Sequence, residues 1–389
     1  MRSSLGLSLF TFFASLPAGW SYNLVRDHSG QNFFQGWDFY GSWDNLTNGY
    51  VWWVDQTNAT QQQLAYVDSN GRAIIKVDNT TTLTGTEPDQ KRNTIRLTST
   101  DSYDFGSLWI IDLVHLPYGC SVWPAFWTKG PTWPDNGEID IIEAINLMDH
   151  NQMALHTTPG CIINQGPEAT GHSIFNDCSK ASGCTVAEAK PNSYGPGFNS
   201  AGGGVWATQY DATGIFMWFW GRADIPASIT ATTSTSGIDM TNWGPPSASY
   251  PVGPQCSNFT QFFTPQQLVL DITLCGSWAG LQSTYGGGCP GDCYKDSVLG
   301  PGSPKYDEAY FEINYVRAYT TGTPLPSSTP TTSSTGGVTV ITSTIIDPAP
   351  ASSSSTSPGK SLANGQDRST AFSLAAIVFG MILFGATLL

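Results

Sequence analysis

The chain has 389 residues, with 16 Lys and Arg against 30 Asp and Glu, a formal net charge of −14. That balance argues against nucleic acid or an anionic membrane surface as a partner, and it suits a neutral substrate. Charged residues make up only 12%, about half the usual share, while Gly (41), Trp (14) and Tyr (15) are abundant, the profile of a secreted, loop-rich protein.

Residues 1–21 (MRSSLGLSLFTFFASLPAGWS) place Arg2 before an apolar run from Leu5 to Leu16 and then small residues. This is the order of a secretory signal peptide, with cleavage expected after Ala18 or Ser21, and the run is too short to span a bilayer. Strand-like runs then recur: GYVWWV (49–54), AIIKV (73–77), TIRLT (94–98), LWIIDL (108–113), EIDII (138–142), QMALH (152–156), VWAT (205–208), GIFMWFW (214–220), LVLDIT (268–273) and FEINYVRA (311–318). Gly, Pro, Asn, Asp and Ser clusters separate them. Helical periodicity is absent apart from a short turn expected near 264–267. The pattern predicts one domain over 22–320, an all-β sandwich of the jelly-roll type with long loops.

Eight cysteines (120, 161, 178, 184, 256, 275, 289, 293) fall within this domain. An even count in a secreted chain implies disulfides, whose pairing spacing alone leaves open. No His or Cys pattern of metal-ligand spacing is present, so no metal and no cofactor are expected. Sequons at Asn45, Asn58, Asn79 and Asn258 suit a secretory route with N-glycosylation.

Residues 321–370 are rich in Ser, Thr and Pro and lack Trp and Cys, so they cannot build a core and read as a disordered, extended linker. Residues 371–389 are apolar to the last position. Small residues, a polar spacer and an apolar tail form the pattern of glycolipid (GPI) attachment, with Gly359 as the attachment residue and Ala363 or Asn364 as rivals. A single-pass helix and an untethered tail are the alternatives. The expected location is extracellular, at the cell surface, with membrane contact through the lipid anchor only.

The chemistry concentrates in NGEIDIIEA (136–144). Glu138 and Asp140 share one face of a strand while Ile139 and Ile141 point the other way. Strict alternation would send Glu143 into the core, where a bare carboxylate costs several kcal/mol. A one-residue β-bulge near 141–142 removes the conflict and returns Glu143 to the face of Glu138 and Asp140. Two glutamates flanking an aspartate then suit acid and nucleophile work on a glycosidic bond, for which a retaining enzyme needs carboxyls about 5–5.5 Å apart. A solvated strand face carrying incidental acids is the alternative. Upstream lie VWPAFWT (122–128) and GPTWP (130–134), in which Trp123 and Trp127 share strand parity and Trp133 leads into the acids. Exposed indoles stack on the C–H faces of sugars.

The segment WPAFWTKGPTWPDNGEIDIIEAIN (123–146) resembles the active-site strand of glycoside hydrolase family 16, in its fungal laminarinase-like, endo-1,3(4)-β-glucanase branch. The likeness extends over FFQGWDFYGSWDNLTNGYVWWVDQ (33–56), SYGPGFNSAGGGVWATQY (193–210), GIFMWFWGRADIPASI (214–229) and FEINYVRAY (311–319). The resemblance implies a concanavalin A-like jelly roll with a substrate cleft on its concave sheet. It implies Glu138 as nucleophile, Asp140 as assisting carboxylate and Glu143 as acid/base. It also places His156, Trp127, Trp133, Trp220, Arg96 and Arg222 at the sugar. β-Glucan is the implied partner and a monomer the expected state. Hydrolysis by water, transfer to a sugar hydroxyl and glucan binding without turnover all remain open. The Gly- and Cys-rich stretch 286–304 has no counterpart in the family pattern and is a candidate for shaping the cleft rim.

Overall fold

The computed structural model describes residues 22–322 apart from 88 and 234–236. The leader at 1–21, the linker beyond 322 and the tail with Gly359 lie outside the described residues. The chain divides into two units, 1–328 and 329–389, and every described residue belongs to the first.

Two eight-stranded sheets face each other across one large apolar core. The first sheet runs in the order His172–Ser173, Cys184–Ala187, Gln152–His156, Glu138–Glu143, Val122–Lys129, Gln267–Leu274, Arg96–Ser99 and Trp37–Phe39. The second runs Ala248–Pro251, Gly214–Gly221, Gly204–Asp211, Ser107–His115, Tyr310–Thr320, Ala73–Lys76 and Ala65–Val67, with Asn23–Ser29 also pairing to Tyr310–Thr320. The expected β-sandwich is therefore what forms. Strand alternation explains which faces meet. Phe126, Ile139, Leu268, Leu270 and Ile272 from the first sheet meet Trp109, Ile111, Trp206 and Ile313 from the second in the core. Each such side chain contributes about 1.5–3 kcal/mol on burial.

A short third sheet joins Ser42–Trp43, Val51–Trp53 and Arg92–Thr94. The run read as one strand over 94–98 is thus divided: Thr94 ends one strand and Arg96 begins another, in a different sheet. The turn expected near 264–267 is also displaced. The helical turn is Phe259–Phe262, and Gln267 already starts a strand.

All eight cysteines are paired: Cys120–Cys289, Cys161–Cys256, Cys178–Cys184 and Cys275–Cys293. Two of these bridges tie down the 286–304 stretch. Tyr294 of that stretch packs on Tyr50 with ring centroids 4.1 Å apart. The buried Arg92 donates to the carbonyls of Val298 and Gly300 as well as Asp78 and Thr81. The stretch is a clamp on the flank of the short third sheet.

Asn45, Asn58 and Asn258 are exposed and Asn79 is half-buried. The amide nitrogen of Asn58 donates to Asp55 and that of Asn79 to Asp307, whereas Asn45 accepts from the Tyr40 hydroxyl through its oxygen.

Candidate active site

The turn before Glu138 requires glycine. Gly137 has φ +84°, and a Cβ there would lie 2.3 Å from the Phe263 ring. From that point Glu138–Glu143 pairs with Val122–Lys129 in antiparallel register, with Trp127 opposite Asp140, Phe126 opposite Ile142 and Ala125 opposite Glu143. Ile141 has no partner, and the register to Gln152–His156 shifts at the same place. This is the bulge that the E-x-D-x-x-E spacing demands. Ile139, Ile141 and Ile142 all reach the core, while Glu138, Asp140 and Glu143 line a cleft on the opposite face.

A bulge leaves backbone groups without ladder partners. One side chain satisfies both here. The fully buried Asn151 accepts from the Glu143 N–H at 2.9 Å and donates to the Ile141 carbonyl, also at 2.9 Å. Sequence reading missed Asn151, whose side chain bonds the backbone on both sides of the bulge.

The cleft face reads in rows across the strands. One row is Gln152, Glu143, Ala125, Asp271 and Arg96; the next is Ala154, Asp140, Trp127, Val269 and Thr98. Leu46, Thr47, Trp53, Trp123, Trp133 and Thr273 complete the walls. Ala125 leaves open floor between Glu143 and Asp271. Indoles address the acids directly: Trp123 Nε1 donates to Glu143 at 3.0 Å, and Trp133 Nε1 donates to Glu138 in a short contact. Trp133 is 37% exposed, so its ring face is available to a ligand.

His156 pairs in register with Glu138, and its Nε2 lies 3.3 Å from Asp140 Oδ2. Burial opposes the charged imidazole, but the bond to Asp140 and the neighbouring carboxylates outweigh it and raise its pKa to about 9. Burial first, and the Asp140 charge second, push both Glu138 and Glu143 up to about 8. Glu138, Asp140 and His156 present polar atoms within 4.8 Å of one another, while Glu143 stands outside that triplet. The imidazolium therefore compensates negative charge on Glu138 and Asp140 first. Four carboxylates with two cations, Arg96 and His156, cannot all ionise at low cost, so Glu143 is the natural holder of a proton near neutral pH.

Of the residues expected at the sugar, Trp127, Trp133, His156 and Arg96 gather around the acids. Trp220 and Arg222 do not. Trp220 sits on the outer face of the second sheet, 6% exposed, packed edge-to-face on Trp243. Arg222 beside it pairs with Asp112 at 2.7 Å and donates to the Leu113 carbonyl. Trp220 lies in, and Arg222 directly follows, a strand whose even-numbered residues face away from the sandwich core, on the sheet that lacks the acids. Asp271 and Trp53 take their place in the cleft. The signal for Asp271 was present as a lone acid in an apolar strand.

A family model described as "XgeA-like, catalytic GH16 domain" matches residues 37–319. A probable glycosidase of Schizosaccharomyces pombe is 35% identical over 306 residues, covering 77% of this chain and 69% of that protein. The endo-1,3(4)-β-glucanase xgeA of Emericella nidulans is 36% identical over 329 residues, covering 82% of this chain and 50% of that protein. The chain thus spans about half the length of that relative. Among solved structures, laminarinase 16A of Phanerochaete chrysosporium, holding β-glucans in donor and acceptor sites, matches with TM-score 0.71 at 34% identity, covering 77% of this chain and 99% of that one. An elongating family 16 β-1,3-glucosyltransferase matches with TM-score 0.70 at 39% identity, covering 77% and 100%. The chain belongs to glycoside hydrolase family 16 and carries its XgeA-like catalytic domain, with fungal endo-1,3(4)-β-glucanases among its homologues.

Proposed function

We propose that the chain is a retaining endo-β-glucanase acting on β-1,3 or mixed β-1,3/1,4 glucan. The observation that carries this reading is the bulge at Ile141, which brings Glu143 to the cleft face of Glu138 beneath a wall of indoles. In the first half-reaction Glu138 attacks the anomeric carbon while Glu143 gives its proton to the glycosidic oxygen. The C–O bond breaks, leaving a glycosyl ester on Glu138. Glu143, now ionised, takes a proton from water, which attacks the same carbon and frees Glu138. Two inversions give net retention. Asp140, held by His156, sits between the two and keeps the proton on Glu143 by its charge.

Glu138→Gln and Glu143→Gln, assayed for reducing-sugar release from laminarin, lichenan and barley β-glucan, should each lose activity at least a thousandfold with folding intact. Near-wild-type activity in either variant sinks the assignment. Similarity to an elongating glucosyltransferase favours a second reading, in which a sugar hydroxyl intercepts the ester in place of water. Labelled oligosaccharides yielding products longer than the substrate would select it. Secretion with glycolipid anchoring through the 359–389 region belongs to the same proposal, and release of the protein from intact cells by a phosphatidylinositol-specific phospholipase tests it.

A further inference from the structure

The outer face of the second sheet, on the side of the sandwich away from the acids, carries a pocket of about 390 Å³. That lies in the usual small-ligand range of about 300–1,000 Å³. Strand register explains its floor. Ser249, Phe216 and Gln209 lie opposite one another in one row across three strands, while Tyr250, Ala248, Ile215, Met217 and Tyr210 beside them reach the core. Alternation therefore points the row outward. The segment 166–171 runs along the edge of Ala248–Pro251 as a wall, with the Gly166 N–H donating to the Ser249 carbonyl and the Gly171 N–H to that of Ser247. Three prolines (167, 246 and 251) and Trp218 complete the apolar sides. Trp218 is fixed by its Nε1 bond to the Gly244 carbonyl and by edge-to-face contact with Trp243, centroids 5.5 Å apart.

Two polar groups lining this pocket are idle. Ser249 is 7% exposed, and no described residue hydrogen-bonds to its hydroxyl. Gln209 Nε2 donates to the Tyr22 hydroxyl at 2.9 Å, which leaves its Oε1 without a partner among the described residues. Buried polar groups normally find partners, so an idle hydroxyl in the floor of an aromatic pocket calls for one from a ligand. Glycine at 166 keeps that hydroxyl uncovered, because a Cβ there would lie 2.7 Å from Ser249 Oγ. The lining selects among ligands. A purely apolar molecule would leave Ser249 and Gln209 unpaired. An anion would meet Glu168 at the rim with no Lys, Arg or His in the lining to hold it. A sugar presents C–H faces to aromatic rings and hydroxyls that both donate and accept, so it matches the whole lining.

We propose that this pocket is a second carbohydrate site, which holds a neutral glucan chain on the far side of the sandwich and does no chemistry. A sugar ring lies on Phe216, and its hydroxyls pair with Ser249 Oγ and Gln209 Oε1. The apolar core lies between this pocket and the acids, so a short stretch of glucan cannot fill both. Anchorage on a polymer and cleavage are thus separate events, and holding the polymer raises its local concentration at the cleft. The choice of glucan as occupant rests on the glucanase reading above.

The test uses the full chain, short β-1,3-glucan oligosaccharides and an insoluble β-1,3-glucan. Calorimetry on Glu138→Gln should count two oligosaccharides per chain, and on Glu138→Gln with Phe216→Ala only one. Phe216→Ala alone should leave kcat and KM on the soluble oligosaccharides within about twofold, while retention on the insoluble polymer falls at least about tenfold. Ser249→Ala removes a hydroxyl that bonds nothing in the fold, so folding is unaffected; it should weaken the second oligosaccharide about two- to tenfold. One oligosaccharide per chain in Glu138→Gln, or two that persist with Phe216→Ala, would overturn the proposal. Tetramethylammonium binding that Phe216→Ala abolishes, with no second glucan bound, would assign the pocket to organic cations and overturn it equally. If the wild-type protein cuts no glucan, the glucanase reading fails on its own. The pocket is then decided by binding to the wild-type chain: oligosaccharide binding weakened by Phe216→Ala and Ser249→Ala upholds it, and unaltered or absent binding overturns it.

Discussion

Asn151→Ala removes the one side chain that closes the bulge. Two buried hydrogen bonds disappear, from the Glu143 N–H and to the Ile141 carbonyl, both 2.9 Å long. Each orphaned backbone group costs about 1–3 kcal/mol, so the loss should total about 2–6 kcal/mol. That is a large part of the ~5–15 kcal/mol that holds a domain together. The functional effect follows from position. Asn151 does not itself line the cleft, so binding of glucan should hold while the Glu143 carboxyl shifts; a misplacement of about 1 Å costs on the order of a hundredfold in rate. Urea unfolding gives the stability, and initial rates on a soluble β-glucan separate kcat from KM. Asn151→Asp keeps an acceptor for the Glu143 N–H but sets a fully buried carboxylate against the Ile141 carbonyl, so at neutral pH it should be no more stable than Asn151→Ala. Asn151→Ala with stability within about 1 kcal/mol of wild type and unchanged kcat would refute the claim that this contact holds the bulge.

Glu143→Gln should alter the pH dependence of stability. The fold raises the pKa of Glu143 from 4.5 to about 8, so its stabilising effect is complete below pH 4.5 and is lost as the pH rises through about 8. The variant should therefore gain on wild type across that window, by roughly 1–3 kcal/mol once partial exposure to the cleft is allowed for; an equal difference at pH 4 and pH 8 in urea would refute this. The pH–rate profile should fall on its alkaline side as Glu143 gives up its proton. Asp140→Asn should move that limb to lower pH, because the Asp140 charge is what raises Glu143 after burial. Ala125→Leu should put a side chain between Glu143 and Asp271, lowering activity at least a hundredfold while circular dichroism and melting temperature stay close to wild type. A fully active Ala125→Leu would mean that glucan does not cross that floor.

The bulged strand that carries the three acids was legible in the sequence because burial of a carboxylate is so costly that the parity break at Glu143 admits few solutions. The aromatic wall was legible for a related reason: Trp123 and Trp127 share parity on a strand leading straight to the acids. Trp220 and Arg222 were misassigned because strand parity tells which side a residue faces, not which sheet it joins. Gly214–Gly221 pairs with Gly204–Asp211, and through it with Ser107–His115, a long-range choice that local pattern does not encode. There Ile229, Ile238 and Trp243 cluster with Trp220 on the outer face. Asn151 stayed hidden because its role is to bond backbone across a bulge, and an Asn before a strand reads as a turn residue. The break between Thr94 and Arg96 was hidden as well, since Thr94, Ile95 and Thr98 are β-branched and Leu97 is apolar, so the run passes as one strand.

The stereochemistry of the first product is the most direct test of the two-glutamate account. Proton NMR during early digestion of a β-1,3-glucan oligosaccharide, before mutarotation, should show the β-anomer at the new reducing end first. An α-anomer appearing first would mean a single inversion, and Glu138 would not be a nucleophile.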